Sequence, residues 1–305
     1  MSGFGWVVSV LSCVGVAAVA MDVTDFFPDV KGDLTKVTWA HAVNSQKLLN
    51  DALDRGVMML EADVSLGKLK DAGEVPIMAH PPDNTSDLSL EQLLDRLIKE
   101  NKAGLKLDFK SKEVFNKSVS LLADRNEKIK FPLWLNADIL AGPVNSTTTP
   151  VDANLFLQQA RDRFPNRTLS VGWTTRFGGN VTEGSYQQEH IKAMRDLLEQ
   201  NNISQPVTFP VRAALAVRSQ EVLLGLMTAK SNATLTLWGP DTDPLDHNAL
   251  DKFVSTVGKQ RVYLDLPNST NADHGGSSKV RGMPFVWGTV LAALGLALIA
   301  RINHI

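Results

Sequence analysis

Between residues 36 and 268 the chain alternates short apolar runs with longer stretches whose apolar positions recur at helical spacing. The runs at 36–41, 58–64, 104–110, 132–138, 169–174, 206–211, 234–238 and 261–266 predict strands. Between the first two, residues 44–56 put Leu48, Leu49, Ala52 and Leu53 on one face and end on Gly56, which predicts a helix. Leu90, Leu93, Leu94, Leu97 and Ile98 mark the next helix, and others are predicted over 112–125, 152–163, 187–200, 212–224 and 245–257. Residues 22–33 read as a polar lead-in and 76–80 as a loop segment after the second strand. Eight strands alternating with helices predict an α/β fold, and the count of eight favours a single TIM (β/α)8 barrel over 30–270 rather than an open doubly wound sheet.

The second strand breaks its own pattern. Within an apolar run, Glu61 and Asp63 stand two apart and therefore share a face. Burying two carboxylates together is costly unless a cation, a lysine or a metal answers them. A barrel places its chemistry at the carboxyl ends of its strands. By that rule His41, Glu61, Asp63, His80, Asp108 and Lys110 converge from three neighbouring strands. Three carboxylates can hold one hard divalent cation through oxygen. Two histidines beside it can act as general acid and base, and Lys110 can meet a phosphoryl oxygen, so the set points to phosphodiester chemistry.

Four further residues are candidates for binding substrate, each with a plainer role beside it. Asn44 is also placed to cap a helix. Lys106 is also placed to pair internally with Glu61 or Asp108. Asn136 ends the fourth strand with Asp138 and can equally satisfy loop backbone, and Trp238, just before Gly239-Pro240, is also a packing residue at the rim.

Composition narrows the setting. The 305 residues are 44% hydrophobic and 21% charged, enough for a full core, and a net charge of −2 without a basic run argues against a nucleic-acid partner. Residues 1–20 are apolar and end Ala18-Val19-Ala20, as a signal peptide does, with a signal anchor as the alternative. The single cysteine, Cys13, lies in that leader. Residues 271–284 form a polar spacer and 285–300 an apolar tail, the order of either a GPI-attachment signal or a transmembrane anchor, so membrane contact is expected there. Asn84, Asn116, Asn145, Asn166, Asn180, Asn202, Asn232 and Asn268 each begin an Asn-x-Ser/Thr sequon, eight in all. Together these predict a glycoprotein that is secreted or held at the extracellular face of the plasma membrane.

The order of the site residues resembles a known family. Thr38-Trp-Ala-His41 with Asn44, Leu60-Glu-Ala-Asp63, Pro76-Ile-Met-Ala-His80 and Leu105-Lys-Leu-Asp108 are similar to the core of the menorin family, whose domain resembles the glycerophosphodiester phosphodiesterase superfamily. The resemblance implies a phosphodiesterase barrel with His41 and His80 as the catalytic pair. It also implies Glu61, Asp63 and Asp108 as ligands of Mg²⁺ or Ca²⁺, Lys110 as the phosphate contact, and a phosphodiester small molecule or lipid headgroup as substrate. Asp265-Leu-Pro267 fits the same pattern. Two positions depart from it: Ala42 stands where the phosphodiesterases carry arginine, and Pro81 where they carry aspartate. Losing that arginine removes a bidentate phosphate clamp. The alternative expectation is a catalytically inactive barrel that joins a cell-surface protein partner in adhesion or a receptor complex.

Overall fold

The structure is a computed structural model that describes residues 20–70, 73–230 and 232–267. The chain divides into two compact units, Met1–Asn271 and Ala272–Ile305, and every described residue belongs to the first. It opens with α1 (Val23–Phe26), two 3₁₀ turns, Pro28–Val30 and Leu34–Lys36, β1 (Trp39–Ala40) and α2 (Gln46–Asp54). Next come β2 (Met59–Leu69), β3 (Glu74–Met78), β4 (Thr85–Ser86), α3 (Leu90–Glu100), β5 (Gly104–Phe109) and α4 (Lys112–Arg125). The second half runs β6 (Leu133–Ala141), α5 (Ala153–Arg163), β7 (Thr168–Thr174), α6 (Gln188–Gln200) and β8 (Val207–Arg212). It closes with α7 (Ala213–Ala216), α8 (Gln220–Ala229), β9 (Thr234–Trp238), α9 (His247–Val257) and β10 (Val262–Asp265).

Eight strands pair in parallel in the order β1-β2-β5-β6-β7-β8-β9-β10, and with their helices they form the near-closed barrel that the alternation predicts. Strand parity sorts the side chains. Leu60, Ala62 and Val64 point outward into the large core shared with the helices, while Met59, Glu61 and Asp63 point inward. Inside, Trp39, Met59, Trp134 and Tyr263 form an apolar floor that Val23, Val30, Leu34 and Val37 close from below. Gly104 makes room for it, since a Cβ there would lie 2.3 Å from the Met59 sulfur.

Three expectations need correction. The segment at 76–80 is not all loop, because β3 pairs antiparallel with the upper half of β2, from Val64↔Met78 to Lys68↔Glu74. Pro76 interrupts the strand signal but is tolerated because β3 pairs with β2 alone among the named strands. The helix predicted over 212–224 is two, α7 and α8. Between them the Ser219 hydroxyl donates to Leu215 O and accepts the Tyr186 N–H, so a tertiary contact sets the break. The lead-in at 22–33 is structured, with Asp22 capping α1, and its apolar minority closes the barrel floor. The leader up to residue 19 with Cys13, the sequon at Asn268, the spacer and the tail lie outside the described residues. No helix among the described residues is long and apolar enough to cross a membrane.

Candidate functional site

Glu61 and Asp63 on β2 and Asp108 on β5 meet inside the carboxyl end of the barrel. Each offers one oxygen, and these atoms all lie within 4.8 Å of one another. Hard divalent cations take oxygen ligands at about 2.0–2.6 Å, so three oxygens at this spacing could hold one metal ion between them. The register Glu61↔Lys106 and Asp63↔Asp108 follows from parallel pairing of the two strands and brings the acids side by side.

Each acid is oriented by a neighbour. Glu61 Oε2 accepts the Ala42 N–H at 2.8 Å, a contact made while Ala42 holds a left-handed φ of 53°. Asn44 Nδ2 donates to Asp63 Oδ2 at 2.7 Å, and Asn44 Oδ1 accepts the Asp63 N–H at 2.9 Å. Asn136 Nδ2 donates to Asp108 Oδ1 at 2.6 Å and is itself held by the Ser170 hydroxyl at 2.6 Å. Lys110 Nζ lies 2.6 Å from Asp63 Oδ1 and 2.5 Å from Asp108 Oδ2, bridging the two. His41 Nδ1 faces Asp265 at 3.1 and 3.2 Å and Glu61 Oε2 at 3.6 Å. His80, at the end of the β3 segment, is exposed, and its Nδ1 meets Pro81 O at 2.7 Å.

Burial and charge set the ionisation. Burial works against the His41 imidazolium, but Asp265 and Glu61 together outweigh it and raise the group from 6.5 to about 9. Burial pushes Glu61 up to about 7 despite His41, and Asp63 adds to the push. Burial also opposes the Asp63 charge, yet Lys110 and Asn44 hold that carboxyl below its ordinary 3.8. Asp265 is likewise held low, His41 and Lys106 overcoming its burial. Burial raises Asp138 to about 6, with Asp108 reinforcing the effect.

Of the six residues expected to converge, His41, Glu61, Asp63, Asp108 and Lys110 are joined by these contacts, whereas the hydrogen bond of His80 is to Pro81 O. The lesser candidates separate by role. Asn44 and Asn136 orient the carboxylates of Asp63 and Asp108. Ser45, not Asn44, caps α2, its hydroxyl accepting the Leu48 N–H. Lys106 is buried and pairs at 3.7 Å with Asp265, not with Glu61 or Asp108. Trp238 stands half-buried at the end of β9.

Two residues there have no role assigned from the sequence, where Asp265 figures only as part of the family pattern and Arg212 not at all. Asp265 orients His41, and Arg212 ends β8 in a bidentate pair with Asp243 at 2.6 and 2.6 Å. The Arg212 guanidinium lies 5.4 Å from the Phe177 ring and 5.6 Å from that of Trp238. Its signal was its place at the carboxyl end of a strand, which the predicted boundary at 211 missed by one residue.

A family model, the Menorin N-terminal domain, matches residues 33–271. The chain belongs to the menorin family. Its menorin relatives include Protein FAM151B of Homo sapiens, 38% identical over 239 residues that cover 78% of this chain and 85% of that protein. Among solved structures, one from Toxoplasma gondii described as an orotidine-monophosphate decarboxylase is similar with a TM-score of 0.33 and 13% identity, covering 73% of this chain and 87% of the other. In this menorin chain the motif residues and the carboxylate group all lie inside the matched domain.

Proposed function

We propose that this menorin-family barrel is a metal-dependent phosphodiesterase-like protein, secreted or held at the extracellular face of the plasma membrane. The observation that carries the reading is the three-carboxylate group with His41 and Lys110 in contact with it and His80 close enough for its field to reach Asp63. A bound Mg²⁺ or Ca²⁺ would withdraw charge from a phosphate oxygen. The two histidines divide the proton work. Pro81 O can only accept, so His80 Nδ1 carries the hydrogen and, in the neutral ring, Nε2 is the basic atom. Asp265, facing His41 Nδ1 at 3.1 Å, favours the protonated ring, which makes His41 the acid of the pair. His80 therefore takes the proton of an attacking hydroxyl as its oxygen bonds to phosphorus. The bond from phosphorus to the leaving oxygen breaks, and His41 supplies that oxygen with a proton. Lys110, 21% exposed, is the ammonium placed to meet a phosphoryl oxygen.

Support for the location comes from the sequons. Of the seven in the described residues, six acceptor asparagines are exposed and Asn166 is half-buried, so none is sealed in the core. Calorimetry with Mg²⁺ and Ca²⁺, paired with a screen of glycerol and lipid phosphodiesters, tests the activity. Binding should vanish in Glu61→Gln with Asp63→Asn, and His41→Ala should slow turnover by about 10²–10⁴-fold. Absence of any divalent binding by the wild type would sink the reading.

A second reading rests on Lys110. Its ammonium already answers Asp63 and Asp108, as an internal cation would, and Ala42 contributes no clamp. An inactive barrel that joins a cell-surface protein partner would show no divalent binding and no turnover, and would yield a partner to surface crosslinking.

A further inference from the structure

A cavity of about 370 Å³ lies between α6 and α8, on the outside of the barrel. On α6 and the turn after it, Arg195, Glu199 and Asn202 follow at four- and three-residue spacing and so share one face. Leu226 and Lys230, again four apart, form the opposite wall, and Phe209 of β8 is the buried floor. Asn202 is both part of this wall and the acceptor of the sequon Asn202-Ile203-Ser204. It is exposed and takes the left-handed φ of 52° that ends the helix, while its neighbour Asn201 is buried and bonded to Asn154 and Leu197 O.

We propose that the glycan on Asn202 seats its first sugar in this cavity, so that it completes the helix layer between α6 and α8. The volume falls in the range of small-ligand sites, about 300–1,000 Å³. Leu198 and Ile203, which keep 7% and 8% of their surface exposed over the sealed Phe209 and Leu226, present an apolar edge to the C–H face of a pyranose ring. Arg195 and Glu199 offer charged partners to its hydroxyls and acetamide, as does Lys230, whose ammonium also donates to Ile203 O at 2.7 Å. Because the sugar is tethered to the wall itself, docking is intramolecular and needs little intrinsic affinity. The inference rests on the secretory reading above, since only that route attaches the glycan.

The test uses the full chain made in a secreting eukaryotic host, with site-by-site mapping of glycans. Asn202 should be occupied, and enzymatic release from the native protein should be about tenfold slower there than at Asn145 and Asn180. Ser204→Ala keeps Asn202 but removes the sequon. It should lower Tm by about 3 °C in glycosylated protein and by less than about 1 °C in protein made without glycosylation. Equal release rates, or the same Tm change in both backgrounds, overturn the proposal. So does a bare Asn202 beside glycosylated Asn145 and Asn180. If all of the sequons are bare, the secretory reading fails as well, which separates the two failures.

Discussion

Asn44 stands where a helix cap is expected, yet both ends of its amide are committed to Asp63. Ser45 supplies the cap one residue later. Removing each separates the roles. Asn44→Ala should destabilise the protein by about 1–3 kcal/mol through the stranded Asp63 groups, and weaken divalent binding by about 10–100-fold, as loss of a ligand-orienting partner does. Ser45→Ala should cost about 1 kcal/mol and leave binding unchanged. Denaturant melts and calorimetry read both quantities, and equal effects of the two changes on binding would refute the assignment. His41 offers a pH test in chelator-treated protein. Its folded pKa is raised from 6.5 to about 9, so the stability it contributes is complete below about pH 6.5 and is lost as pH rises through about 9. Asp265→Asn removes the acid mainly responsible, so the His41 titration should move downward by NMR and the alkaline loss of stability should shrink. An unmoved titration would show that Glu61 alone holds the proton. The three clustered carboxylates were legible because residue type and strand parity place them. Asp265 reaches His41 across 224 positions of sequence, and no local pattern encodes such a partner.

At the scale of elements, the eight barrel strands were legible to within a few residues, because a parallel strand buried on both faces carries its signal in its own run. What was not legible depended on distant contacts. β3 exists because β2 continues past the barrel to Leu69 and offers it an edge, and the α7–α8 break exists because Ser219 is held by Tyr186. Arg212 belongs to this scale too. Through Asp243 and the rings of Phe177 and Trp238 it ties the loops after β7 and β9 to the end of β8. Its side chain is 11% exposed and that of Asp243 5%, so breaking the pair leaves one charge unanswered in a shielded place. Arg212→Met or Asp243→Leu alone should each cost about 3–5 kcal/mol, while the double change should cost clearly less than either. Additive losses in a double-mutant cycle would mean that the two charges act independently.

For the molecule as a whole, the barrel interior divides into a charged mouth above an aromatic floor. Glu61, Lys106, Asn136, Ser170, Thr208 and Thr236 fill the space above the Trp39–Trp134–Tyr263 cluster, each buried and polar. The floor is closed by Val23, Val30, Leu34 and Val37, from a stretch whose polar majority disguised its role in the sequence. Sparse apolar residues without period give no strand or helix signal, and only the barrel end they cover makes them a unit. The division predicts that damage to the floor stays there. Leu34 is 4% exposed within this cluster, so Leu34→Ala should cost about 3 kcal/mol by transfer and cavity terms together. Loosening below Trp39 and Trp134 should shift tryptophan emission to the red, since the rings now packed at 5.5 Å would meet water. Divalent affinity should stay the same, because none of the groups that orient Glu61, Asp63 or Asp108 belongs to the floor. A loss of affinity that tracks the loss of stability would show instead that the mouth depends on the floor for its shape. The segment 22–37, from the lead-in to the start of the first strand, would then be part of the site.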